Sequence, residues 1–301
     1  MVRARVLKAL GLVVVLVMAV GIVAGCGPSA PTSVPPTPTP TLKGKVDIGG
    51  YSLYIQCAGE GSPTVVMDHG FATPWTPRDI VDGVKSQTRI CFYWRAGLAS
   101  SDPSPKKPRT SGDMMKELHT LLTNAHITGP YVLVGHSIAG FNVRVYADLY
   151  PQEVVGMVMI DPGHPDQTAR WLAALPPESA DDPPALKDLR AGFKAGFAAA
   201  DPSKMAENMD IEASAAETRA CGSLGDMPLV VLSAAKDSFG TTLSSIEETL
   251  QQEWNAMGKE LSQLSSNGTF VLAEKSGHNI HQDEPQLVID AILKVVADAR
   301  K

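Results

Sequence analysis

The residues most able to do chemistry lie in Tyr131–Tyr146, YVLVGHSIAGFNVRVY, where an apolar run stops at Gly135, His136 and Ser137 and resumes with a different period. A serine between a strand and a helix stands on a sharp turn, where small neighbours permit close backbone approach; here these are Gly135, Ala139 and Gly140. The helix N-terminus behind it favours developing negative charge. A GxSx[GA] string alone also fits ordinary turns, so the strand before it and the helix after it give it meaning. A serine hydroxyl needs a base to become a nucleophile. Of the seven histidines, His278 in FVLAEKSGHNIHQDEPQLV lies on a loop after a late strand, with Gly277 beside it to let the chain turn. His281 is its nearest competitor. His119 and His126 fall on or near a helical face and read as structural, and His136, adjacent to Ser137, is expected to point away from it. The base in turn needs an orienting carboxylate. Asp237 ends MPLVVLSAAKD, between Ser137 and His278 in the chain, and is favoured because its strand immediately precedes the His-bearing one. Asp161 in VMIDP also ends a strand and reads more simply as a turn residue before Pro162.

These groups require a scaffold, and the pattern supplies one. Residues 51–59, 62–70 and 88–94 read as strands, rich in β-branched and aromatic residues. A helix follows around GDMMKELHTLLTNAHI, with Met115, Leu118, Leu121 and Leu122 at helical spacing. Then come the strand YVLVG, a helix from Ile138 to Leu149, strands at 154–161, 227–234 and 268–274, and a last helix with Leu287, Val288, Ala291, Ile292, Val295 and Val296 as its buried stripe. The later strands are apolar throughout, as parallel strands covered on both faces are. Alternation of strand and helix predicts an α/β fold with a mostly parallel central sheet flanked by helices. Residues 163–226 interrupt the rhythm without a strand, and read as a helical insertion.

The N-terminal stretch has a different logic. MVRARVLK carries Arg3, Arg5 and Lys8, and Ala9–Gly25 has no charge, the pattern of an export signal. Its exit, VAGC, resembles the lipobox of bacterial lipoproteins, in which the cysteine, here Cys26, becomes the acylated first residue. An uncleaved membrane anchor is the alternative. Residues 1–25 are therefore expected to be a signal peptide, 26–44 a Pro/Thr-rich tether that cannot bury a core, and 45–301 the folded domain. The expected location is the cell envelope, at a membrane through Cys26.

Composition narrows the partners. The chain has 301 residues, 44% hydrophobic, enough for a substantial core. Lys+Arg 26 against Asp+Glu 32 gives −6, which becomes −9 when the three basic residues of the leader go. That argues against a partner held by nucleic-acid phosphates. There is no P-loop, GxGxxG, CxxC or HExxH, and no metal or organic cofactor is implied.

Several segments together, DHGF, RAGLASSD, GHSIAG, VVGMVMIDPGHPD, PLVVLSAAKD and SGHNIHQDEP, follow the order of the α/β-hydrolase superfamily, which the chain resembles over about residues 46–300. The resemblance implies a nucleophile at Ser137, an acid at Asp237, a base at His278, and an oxyanion hole from the backbone N–H groups of Phe71 and Ile138. It also implies that the insertion 163–226 is a cap over the substrate. Ala139 stands where Gly is commonest, Trp94 where many relatives carry Asp, and Ala99-Ser100 where a Gly is usual. A serine at the elbow argues against epoxide hydrolase and haloalkane dehalogenase chemistry. It suits a carboxylic ester hydrolase acting on a small-molecule ester, with thioesterase, aminopeptidase and cofactor-free haloperoxidase as variants and a non-catalytic binding lipoprotein as the alternative of a different class. Phe71, Trp75, Phe141, Trp171, Phe239 and Ile280 are candidates for an apolar pocket, or else core. In the fold that the chain resembles, the second strand neighbours the fourth, and Cys57 and Cys91 fall on these strands. That implies a Cys57–Cys91 disulfide and a free Cys221, against the alternative of three small buried apolar side chains.

Overall fold

The computed structural model describes residues 42–71, 76–199, 207–236, 239 and 241–301. The chain divides into the units Met1–Pro38 and Thr39–Lys301, and the second is described here. The signal peptide, Cys26 and the tether up to residue 41 lie outside the described residues. The first strand begins at Lys43, inside the segment assigned from sequence to the tether.

Eight strands form one sheet in the order β1-β2-β4-β3-β5-β6-β7-β8: β1 (Lys43–Asp47), β2 (Ser52–Ala58), β3 (Thr64–Asp68), β4 (Ile90–Tyr93), β5 (Tyr131–His136), β6 (Val154–Ile160), β7 (Leu229–Ala234) and β8 (Gly268–Ala273). β1 and β2 pair antiparallel, as do β2 and β4; from β4 onward the pairs are parallel. The physical logic of the sequence is visible in burial. β3, β4, β5 and β7 are buried at every residue, because helices cover both faces. β2 alternates, with Leu53, Ile55 and Cys57 turned inward. Cys57 stands opposite Cys91 in the β2–β4 register, and a disulfide joins them while Cys221 is free.

On one face pack α2 (Ser111–Asn124), α3 (Ala139–Leu149) and α6 (Ile211–Ala220); on the other, α1 (Arg78–Val84) and α9 (Pro285–Asp298). Thr110 starts α2 with a reciprocal capping box, its hydroxyl accepting from Asp113 N–H while the Asp113 carboxylate accepts from Thr110 N–H.

The insertion contains α4 (Gln167–Ala174), α5 (Pro184–Ala199) and α6, and its halves behave differently. α6 packs on α2 and α3 as part of the main body. α4 and α5 join α7 (Ser244–Ser262) in a separate apolar cluster around Trp171, Leu175, Leu186, Leu250, Trp254 and Met257. The sequence reading did not assign α7, although Leu250, Trp254, Met257 and Leu261 are its buried stripe. The short α8 (Ile280–Asp283) lies between β8 and α9.

Candidate active site

The serine, the base and the carboxylate of the site follow the carboxyl ends of three parallel strands, β5, β8 and β6. β5 ends at His136 and α3 begins at Ala139, leaving Ser137 at the bend with φ +56°. That left-handed backbone is costly for a non-glycine residue and persists only where surroundings enforce it. The enforcement is visible: Ser137 N–H donates to Ile160 O at 3.0 Å, and its carbonyl accepts from Gly140 N–H and Gly163 N–H. The bend is so tight that a Cβ at Gly135 would lie 2.6 Å from the Ala139 carbonyl oxygen.

His278 is delivered by the loop after β8, which is pinned from α8 and its C-terminal flank. Glu284 accepts from Lys275 N–H and the Ser276 hydroxyl, and Asp283 accepts from Gly277 N–H. His278 Nε2 is 2.9 Å from Ser137 Oγ, and its Nδ1 is 2.6 Å from Asp161 Oδ2. Asp161 follows β6, has φ +42°, and is fully buried. Its second oxygen, Oδ1, accepts from Trp254 Nε1–H at 2.7 Å and Ala234 N–H at 2.8 Å. Carboxylate, imidazole and hydroxyl thus form one hydrogen-bonded line, with the imidazole partly open to solvent. The geometry suits proton transfer from Ser137 Oγ to Nε2 and stabilisation of the resulting imidazolium through Nδ1–H.

A second histidine braces this line. Burial, and after it the neighbouring His281, pushes the His136 pKa well below the ordinary value, so the ring is neutral. Its Nε2 lies 3.0 Å from the His278 carbonyl; a carbonyl only accepts, so Nε2 carries the proton. His136 therefore points towards the base loop.

Next to Ser137 a cavity of about 210 Å³ is lined by Phe71, Ile138, Gly163, Gln167, Trp171, Phe239, Trp254 and His278. The Trp171 ring centroid lies 5.2 Å from Phe239 and 5.4 Å from Trp254, so three packed rings make part of the cavity wall an aromatic box.

The sequence profile of the Alpha/beta hydrolase family matches residues 65–291. The chain belongs to that family. It is 29% identical over 242 residues to the uncharacterized protein YqjL of Bacillus subtilis, covering 79% of this chain and 85% of that protein. Solved structures share the family fold at low identity. An esterase from Thermogutta terrifontis superposes with a TM-score of 0.57 at 18% identity, over 86% of this chain and 100% of that one. A loop variant of a haloalkane dehalogenase from Bradyrhizobium elkanii gives 0.61 at 12% identity, over 85% of this chain and 96% of that one.

Within this family fold the sequence expectations divide. Ser137 and His278 come together, and Phe71 and Ile138 line the same cavity. Asp237 does not fill the place given to it: the carboxylate on His278 Nδ1 is Asp161, and Asp237 lies outside the described residues. The reason is topological. β6 and β7 are parallel neighbours, and β7 runs two residues past the end of β6, whose last residue Ile160 pairs with Leu232; an acid after either strand therefore leaves the sheet on the same side as the base loop, and sequence order alone does not choose between them. The pocket assignments also change. Trp171 and Phe239 line the cavity, Trp75 lies outside the described residues, and Phe141 and Ile280 are buried in the two main cores. These last two do not line the cavity: Phe141, on α3, is buried in the core on one face of the sheet, and Ile280, at the start of α8, in the core on the other. Trp254 was missed. Its signal was the unassigned amphipathic run of α7, which places an indole both on the cavity wall and on Asp161.

Proposed function

We propose that this chain is a serine hydrolase of small apolar carboxylic esters. The observation that carries the reading is the line from Ser137 Oγ through His278 to Asp161, at 2.9 and 2.6 Å. Ser137 Oγ attacks the acyl carbon as His278 Nε2 takes its proton. The tetrahedral oxyanion is held by the N–H groups of Phe71 and Ile138, each such donor typically worth about 3 kcal/mol of barrier. Collapse expels the alcohol, which receives the proton from His278. Water, deprotonated by His278, then releases the acid and restores Ser137. Asp161 orients the imidazole throughout. Halide displacement by the haloalkane dehalogenase route does not fit, because the elbow offers a hydroxyl where that chemistry uses a carboxylate.

Pocket size narrows the substrate. A 150 Å³ apolar cavity is known to accept benzene, so about 210 Å³ suits one ring or a chain of roughly six carbons. A series of p-nitrophenyl esters tests this: kcat/KM should peak at short acyl chains and fall at least about tenfold for a dodecanoyl ester. A preference for the longest chains would contradict the size assignment, and no turnover of any ester would contradict the reading itself.

The same proposal puts the domain at the cell envelope, tethered through acylated Cys26; the VAGC exit and the Pro/Thr-rich composition of residues 26–44 support it. Cys26→Ser should abolish partition of the exported protein into detergent, and a lipid-modified Cys26→Ser protein would contradict it.

A further inference from the structure

Behind the site lies a charged group that the hydrolytic line does not use. Arg95, on the loop after β4, is 1% exposed, and each of its five N–H donors has an acceptor. Nε and one Nη2–H meet the two oxygens of Glu207, Nη1 meets Asp68 Oδ1 and the His69 carbonyl at 2.6 Å, and the other Nη2–H meets the Gly70 carbonyl at 2.9 Å. Asp68 accepts in addition from Asn142 Nδ2 at 2.7 Å, and Asn142 lies on α3. Burial opposes the charge on Arg95, but the Asp68 and Glu207 carboxylates outweigh it and hold the guanidinium cationic.

A buried ion group of this kind contributes little net stability, since desolvation offsets the attraction. What a planar five-donor fork does supply is direction. The Gly70 carbonyl is drawn to Arg95 and also accepts from His69 Nδ1–H at 2.8 Å. In a planar trans peptide the N–H points opposite to the C=O. With Gly70 O fixed on Arg95, the Phe71 N–H is therefore turned to the other side of the peptide. Ser137 lies close to this turn: a Cβ at Gly70 would stand 3.4 Å from Ser137 Cβ.

We propose that Arg95 is the positioning residue that aims the Phe71 N–H at the oxyanion, and that Glu207, where the insertion returns to the main body, sets Arg95 and so couples the insertion to the oxyanion hole. This rests on the hydrolase reading. It also gives a use to a fully buried residue within the insertion, Glu207, just before α6.

The test compares the full chain with Arg95→Lys and Glu207→Gln. It measures kcat and KM for a short p-nitrophenyl ester, and Ki for a trifluoromethyl ketone whose hemiketal oxyanion on Ser137 mimics the tetrahedral state. Arg95→Lys keeps the charge but loses the fork, and should lower kcat about 100-fold, the scale of a displaced catalytic group. Glu207→Gln, isosteric and leaving Arg95 its other partners, should lower kcat about tenfold, with KM within about threefold for both variants. Ki should rise by the same factor as kcat/KM falls, because both read oxyanion binding. If Arg95→Lys does not fold, Glu207→Gln decides alone. A folded variant with unchanged kcat and Ki, or with kcat lost and Ki unchanged, overturns the positioning role. A wild type that neither turns over ester nor binds the ketone overturns the hydrolase reading, and this assignment with it.

Discussion

At the scale of single residues, the proton line depends on which carboxylate orients His278. Asp161 holds Nδ1 with one oxygen and is itself held by Trp254 and Ala234 through the other. Asp161→Asn should therefore lower kcat by about 10³- to 10⁴-fold with folding retained, whereas Asp237→Asn should change it little; circular dichroism and steady-state kinetics on both variants check this, and the reverse pattern would return the role to Asp237. The serine and the base were legible in sequence because each sits in a local motif that encodes its own geometry, a strand-to-helix bend for Ser137 and a glycine-flanked loop for His278. The acid was not, because Asp161 and Asp237 both follow strand ends, and the choice depends on where neighbouring strands stop relative to one loop. The buried Arg95–Glu207 pair was hidden for a related reason: its partners are 112 positions apart, and no local period marks them.

At the scale of elements, long uninterrupted apolar strands and the helices between them were readable from periodicity. The failures were elements whose role is set by packing. α7 covers the cavity with Trp254 and was overlooked. The insertion read as one cap, but it splits into α4 and α5 over the aromatic box and α6 against the body. The β2–β4 pair, one strand in from the edge strand β1, carries the disulfide. Those strands pair antiparallel through Cys57 and Cys91, which close a loop with a sequence separation of 34. A bridge over that length stabilises by about 4 kcal/mol in the chain-entropy model. Reduction should lower the melting temperature by on the order of 10 °C, read by calorimetry with and without reductant. An unchanged melting temperature, with both thiols already free to alkylating reagent before reduction, would contradict it.

At the scale of the whole molecule, one sheet presents the carboxyl ends of β3, β5, β6, β7 and β8 to a single region, and each contributes a part of the site: the Gly70–Phe71 turn, Ser137, Asp161, the Ala234 N–H on Asp161, and His278. That convergence is what the parallel topology provides, and it makes the central claim one about covalent chemistry. The most direct measurement is the intact mass of the folded protein after exposure to a fluorophosphonate, with peptide mapping of the adduct. The account predicts one adduct, on Ser137, absent from Ser137→Ala and formed more slowly by Asp161→Asn. Folded protein that takes up no adduct, or carries it on another residue, would contradict it.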